Sequence, residues 1–163
     1  MPIMDAQLLF GEAIDLGSTS ASATVVSTNN VLIPQVTDHL GAATNDRPNV
    51  SQGLNFNAVI EDEVLAGSTS AATVTMNLLN YSAAITASNM ASATTLISKV
   101  LAADVSGSNY PDGTQIISQG LPNTILMPYF AVTFKATVAK VATGKVTAWI
   151  GNQIQQGGAH GAL

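Results

Sequence analysis

The chain has 163 residues, only 9% of them charged, and carries a formal net charge of −5 with a pI near 4.6. Its cationic residues, Arg47, Lys99, Lys135, Lys140 and Lys145, are too few and too scattered for a phosphate-binding footprint, which argues against direct nucleic-acid binding. Without cysteine there is neither a disulfide framework nor a thiolate metal site, so stability must come from packing or association. Ordinary soluble domains are roughly a quarter charged. A folded monomer of 16.7 kDa exposes roughly 7,600 Å², so the charges average about one per 500 Å². Broad uncharged surfaces follow, and burying them against a neighbour strips no ion of its water. The length suits one domain, residues 1–163, with a core of Val, Ile, Leu and Ala and few large anchors, since aromatics make up 5%.

In chain order, Met1 to Ile14 has no basic start, and Asp5, Gln7 and Glu12 interrupt its apolar residues, so neither a leader peptide nor a membrane span is expected. Residues 1–16 read as an N-terminal arm or strand. Leu8, Leu9 and Phe10 suit either an arm that docks on a partner or exchanges between subunits, or an edge strand of the chain's own sheet. Gly17-Ser18-Thr19-Ser20-Ala21 is echoed by Gly67-Ser68-Thr69-Ser70-Ala71, two similar loops ahead of two strands, short of a repeat architecture. Short strands are expected at Thr24 to Val26 and Val31 to Ile33. Thr37 to Gly53 has no apolar periodicity and reads as a long loop; with Arg47 at its centre, it is a candidate contact segment.

Phe56, Ala58 and Ile60 share one face of a strand, and Glu61-Asp62-Glu63 reads as a solvated turn after it. Val74, Met76 and Leu78 alternate with Thr73, Thr75 and Asn77 in a second strand. Ala83 to Ala93 is Ala-rich but interrupted by Thr86, Ser88 and Ser92, which compete for backbone hydrogen bonds, so it reads as a loop with one helical turn. Weaker strand signals lie at Thr94 to Val100, Thr114 to Ile117 and Ile125 to Met127. Tyr110-Pro111-Asp112-Gly113 has turn chemistry and is expected to cap a hairpin. The strongest strands are Phe130 to Val138 and Val146 to Ile150, which Thr143-Gly144 would join as a hairpin. Trp149 lies on the face opposite Val146, Ala148 and Ile150, as an interface anchor or, if that face is the inner one, a core residue. Residues 155–163 read as a flexible tail.

No constellation carries catalysis. Asp38-His39 reads as a loop cap, His160 stands in the glycine-rich tail, and there is no Gly-x-Ser-x-Gly elbow or phosphate-cradling glycine loop. The acidic run lacks the spaced ligands of a calcium loop. Asp5, Glu12 and Asp15 show no spacing that would face two carboxylates across a glycosidic bond. Asn49-Val50-Ser51 and Asn80-Tyr81-Ser82 match the glycosylation acceptor pattern, without a secretion signal to give it meaning. No cofactor is called for, and no enzyme activity.

The opening Met4-Asp5-Ala6-Gln7-Leu8-Leu9-Phe10, with Ile14-Asp15-Leu16-Gly17, resembles the start of a family of tailed-bacteriophage capsid cement (decoration) proteins. Ala91-Ser92-Ala93-Thr94-Thr95-Leu96 and Gly144-Lys145-Val146-Thr147-Ala148-Trp149-Ile150 are similar to that family's middle and end. The resemblance implies an all-β, jelly-roll-like β-sandwich of antiparallel strands. It also implies a homotrimer without enzymatic activity on the outer capsid surface of a virion, clamping neighbouring major capsid protein subunits. The polar stretch from Thr37 to Gly53 is a longer insertion than the family's pattern. Composition and periodicity alone lead to a β-sandwich with assembly-prone surfaces. Two rival classes are a carbohydrate-binding jelly roll or adhesin, for which three Tyr and one Trp supply little platform, and an enzyme, for which no acid/base constellation is visible.

Overall fold

The alternation of apolar and polar side chains becomes nine strands in a computed structural model of the chain, which describes residues 8–17, 19, 23–33, 54–67, 72–104, 106, 108–122, 127–136 and 141–151. The strands are β1 (Leu9–Asp15), β2 (Thr24–Val26), β3 (Val31–Leu32), β4 (Asn55–Ala66), β5 (Ala72–Tyr81), β6 (Thr94–Ala103), β7 (Gln115–Gly120), β8 (Tyr129–Ala136) and β9 (Val141–Gly151). Between β5 and β6 the Ala-rich segment makes one turn of 3-10 helix, Met90–Ser92, as its serines and threonines led us to expect.

Two antiparallel sheets pack face to face. The first has strand order β1-β9-β4-β7; the second has β2-β8-β5-β6, with β3 continuing alongside β8. Read from the chain's ends inward, β1 pairs with β9, β2 with β8, β4 with β7 and β5 with β6. Each nested pair lies in the opposite sheet from the one before it, which is a jelly-roll β-sandwich. Most strand pairings therefore join residues far apart in sequence.

The inner faces match the alternation. Phe56, Ala58 and Ile60 of β4, Val74, Met76 and Leu78 of β5, Phe130, Val132 and Phe134 of β8, and Val146, Ala148 and Ile150 of β9 form one buried cluster. All four phenylalanines are in it, Phe10 and Phe56 from the first sheet and Phe130 and Phe134 from the second. Phe10 and Phe56 meet edge to face with centroids 5.9 Å apart. The core is thus anchored more heavily than the low aromatic content suggests, because no phenylalanine is spent on the surface.

Three expectations about connections are corrected. β8 and β9 do not form a hairpin: they lie in different sheets, and Thr143-Gly144 is inside β9. Gly144, at φ +146°, lets β4 approach so closely that a Cβ there would stand 3.1 Å from Val64 Cγ2. The Tyr110 to Gly113 turn forms one residue later than its composition suggests, closed by Thr114 N donating to Pro111 O (3.1 Å). It leads from β6 into β7, which belong to opposite sheets, and so caps no hairpin. Glu61-Asp62-Glu63 is not a turn but the continuation of β4 along β9, where register shifts after Ile60 and Asp62 leave all three side chains exposed. The stretches Thr37 to Gly53 and 155–163, and Ile125 and Leu126 of the Ile125 to Met127 signal, lie outside the described residues.

Phe10 is fully buried in β1, so the Phe10→Ala variant is expected to lose about 3–5 kcal/mol of unfolding free energy. Urea unfolding checks this; a loss below about 1 kcal/mol, the scale of a surface substitution, would place Phe10 outside the core.

Candidate interaction surface

Charge is distributed unevenly along the sandwich. Asp15 at the end of β1 pairs with Lys145 of β9, which also faces Asp62 of β4. Alongside β4, the connection from β6 to β7 runs antiparallel, with Val64 N donating to Tyr110 O (3.2 Å) and Gly113 N to Ile60 O (2.8 Å). Asp104 and Asp112 therefore stand at the same end as Glu61, Asp62 and Glu63. At the opposite end lie the start of β1, the β2–β3 connection, the start of β4, the last turn of β5 and the start of β8. Residues 8–10, 23–33, 54–60, 76–98, 115–122, 127–134 and 146–151 contain no Asp, Glu, Lys or Arg. Among the described residues, one end is acidic and the other carries no charged side chain.

At the acidic end Lys145 Nζ stands 3.0 Å from Asp62 Oδ2, with both side chains about half exposed. The hydrogen bond and charge of Asp62 hold the Lys145 ammonium pKa above its ordinary value. Asp104 Oδ2 accepts from Ser108 Oγ (2.6 Å) and Ser106 Oγ (2.7 Å), which lowers the Asp104 pKa despite partial burial. Its Oδ1 is buried with no hydrogen-bond partner among the described residues. No group of three or more His, Asp or Glu among the described residues is placed to hold a metal ion.

The uncharged end is built on amide clamps. Asn80 is buried, and its Nδ2 donates to Met127 O (2.8 Å) and Tyr129 O (2.9 Å) while its Oδ1 accepts from Met127 N (2.7 Å). One side-chain amide thus acts as a rung of ladder that fixes the entry to β8. Asn30 does the same for the segment after β5, donating to Ile85 O (3.0 Å) and accepting from Ile85 N (2.7 Å). That holds Ile85 over Leu79 and Ala131, a small second cluster on the outer face of the second sheet. Beside it Leu32, Tyr129 and Tyr81 stand in register across β3, β8 and β5. Leu32 is 49% exposed and Met127 45%.

On the outer face of the first sheet, Trp149 pairs with Leu9 on one side and Asn57 on the other. Its ring lies along β9 over Gly151, where a Cβ would come within 3.2 Å of Trp149 Cδ1. Asn57 is fully buried beneath this face, its Oδ1 accepting from Ser118 Oγ (2.8 Å). Thr147 Oγ1 accepts from Ala13 N (3.0 Å). This outer row is uncharged as well.

The structure separates the contact candidates read from sequence. Phe10 is a core residue and leaves the contact set: β1 turns its side chain inward against Phe56. Leu8 and Leu9 are half-buried, and Leu9 joins Trp149 in one outer-face row. Trp149 is half-buried on the outer face, so it is not the core residue of the alternative reading. Arg47, Asp38, His39 and His160 lie outside the described residues. Of the carboxylates imagined as a glycosidase pair, Glu12 and Asp15 are exposed on β1 and Asp5 lies outside the described residues. Asn80, in the glycosylation pattern, is buried with both amide atoms engaged. Leu32 escaped sequence reasoning because it sits between Val31 and Ile33, which pack into the core. Its only signal was a strand, β3, too short for alternation to reveal its face. Compared with protein-family models and with curated proteins, the chain matches none.

Two outcomes test these assignments. Asn80→Ala leaves buried backbone groups without their partner and is expected to cost about 1–3 kcal/mol in chemical denaturation; an unchanged midpoint would remove the clamp from the account. Asp104 has a folded pKa below 3.8, so its stabilisation is complete above that value and lost as pH falls through the folded pKa. Thermal melts in neutral and strongly acidic buffer are therefore expected to show Asp104→Asn less stable than wild type only in the former; a gap that persists in acid would contradict the assignment.

Proposed function

We propose that the chain is a structural cement (decoration) protein of a bacteriophage head: as a homotrimer it binds the outer capsid surface and bridges neighbouring major capsid protein subunits. The observation that carries this reading is a jelly-roll sandwich that, among the described residues, gathers its carboxylates towards one end and carries no charged side chain at the other. The resemblance of the terminal and middle segments to the cement-protein family supplies the setting. An uncharged surface is buried against protein without stripping ions of water, while the acidic end keeps the bound copies soluble and mutually repelling. Binding across subunits of the assembled lattice, and not to free subunits, stabilises the shell by mass action. The role requires no cofactor, nucleic acid or membrane.

Co-sedimentation tests the reading, using shells assembled from the major capsid protein encoded in the same genome. The chain is expected in the pellet with shells, in the supernatant with unassembled capsid protein, and to raise the temperature at which shells break open. A chain that stays in the supernatant at saturating concentration, with shell melting unchanged, would sink the proposal.

A further inference from the structure

We infer that copies of this chain join head to tail in a closed ring, with Glu12 and Ala13 on the β1 edge of one copy against Lys99 and Val100 on the β6 edge of the next. The inference rests on the reading that the protein is a homo-oligomer and adds which edges meet and why they close.

β1 and β6 are edge strands on opposite sides of the sandwich. β1 pairs only with β9, in the first sheet, and β6 only with β5, in the second. Asn29 N donates to Phe10 O (2.8 Å), which puts β1 on the β2–β3 side, while the β6–β7 connection bonded along β4 puts β6 on the other. Both strands run towards the acidic end. Backbone bonds also place Glu12 and Lys99 at about the same height. Asn29 lies two residues after Ser27, whose N donates to Val132 O (2.7 Å). Val132 is in register with Leu78, and Leu78 with Ile97. Glu12 is two residues beyond Phe10, and Lys99 two beyond Ile97. A contact between unlike surfaces at equal height repeats by rotation about an axis along the strands, without a rise, and so closes a ring; unequal heights would wind a filament.

Charge complementarity selects a second copy as the occupant. In the edge strands β1, β2, β3, β6 and β7 the only charged residues are Glu12 and Asp15 on one side and Lys99 on the other. Glu12 and Lys99 are exposed, and neither has an ion-pair partner among the described residues. Each copy thus carries on one edge the complement of its other edge, and a ring satisfies both at once. Because β1 and β6 run in the same direction, the order Glu12-Ala13 meets Lys99-Val100 without reversal. Val100, 54% exposed, is the most exposed large apolar side chain among the described residues. Opposite it β1 is bulged: Glu12 and Ala13 stand between Gly11 and Ile14, while Thr147 alone stands between their partners Ala148 and Val146. Ala13, at φ +50°, turns its N–H to Thr147 Oγ1 (3.0 Å), a residue only 2% exposed. A left-handed alanine is strained and persists only where its surroundings hold it. The bulge presents Glu12 and Ala13 on backbone braced from behind, and it keeps β1 from adding a further regular strand, so side chains carry the contact.

Sedimentation equilibrium of the full chain at low ionic strength tests this, with the Glu12→Lys, Lys99→Glu, doubly reversed Glu12→Lys/Lys99→Glu and Glu63→Lys variants and circular dichroism confirming the fold. Wild type is expected to be a closed oligomer, and each single reversal at the two edges to raise the dissociation constant at least about tenfold, equivalent to 1.4 kcal/mol. The double reversal is expected to return it to within about threefold of wild type, since opposite charges then face one another again. Glu63→Lys makes the same change of net charge at the acidic end and is expected not to weaken association. Should a reversal lose its strand signal, Glu12→Gln and Lys99→Gln replace it, with a smaller shift in the same direction. Unchanged association in the single reversals, a double reversal as weak as the two singles together, or equal weakening by Glu63→Lys overturns the pairing of these edges, leaving Lys99 as a guard on an open strand edge. A mass that grows without limit overturns closure, and a wild type that is monomeric at every concentration overturns self-association itself. Shell binding, measured separately by co-sedimentation, decides the cement role, so the two proposals fail on different observations.

Discussion

The contact between the two inner faces is the constraint on which the rest of the molecule depends. Phe10 and Phe56 of one sheet and Phe130 and Phe134 of the other belong to a single buried cluster with the aliphatic residues of β4, β5, β8 and β9. Strands whose side chains alternate can bury only one face each, so two sheets must cover one another. The nested pairing of β1 with β9, β2 with β8, β4 with β7 and β5 with β6 then follows as one way to bring distant segments together while all neighbours run antiparallel. Leu9 of the first strand consequently lies beside Trp149 of the last.

Once the core is closed, the outer faces and ends are left to carry interactions, and the chain divides them by charge. At the acidic end the half-exposed Asp62–Lys145 pair is a solvent-screened link between β4 and β9, while Asp104 ties its serines into the loop after β6. At the other end the polar groups of the described residues are amides and hydroxyls, and two of them, Asn80 and Asn30, pair with the backbone. Buried amides of this kind satisfy main-chain groups where regular pairing stops. They fix Met127 and Ile85 through their backbone without using a charged side chain.

Much of the fold was legible from alternation. The inward sets Phe56, Ala58, Ile60 and Val74, Met76, Leu78 were readable because a strand repeats every two residues whatever its partner. Even the three-residue β2 coincided with an apolar run bounded by small polar residues. Pairing was not legible. Turn chemistry at Thr143-Gly144 and Pro111 to Gly113 suggested hairpins between neighbouring strands, yet the first lies inside β9 and the second connects strands of opposite sheets. Local residues specify how the backbone can bend, and they carry no information about which distant edge the next strand will join. The acidic run was misread for a related reason: three consecutive charges break the two-residue pattern, and only the irregular register against β9 shows how a strand exposes all of them.

The sequence by itself determined that the chain is all-β, that its surface is poor in charge and that it holds no thiol chemistry, since composition and two-residue periodicity are properties of each segment alone. It also contained the positions of the charges, but not their segregation. Asp15, the run from Glu61 to Glu63, Asp104 and Asp112 are spread over almost a hundred residues, and they become one end of the molecule only when β1, β4, β9 and the β6–β7 connection are laid side by side. The same holds for Phe10, which local sequence leaves free to be arm or core and which pairing with β9 turns inward. Tertiary structure decided these matters because exposure is a property of what packs over a residue, and in a jelly roll the covering strand comes from far along the chain.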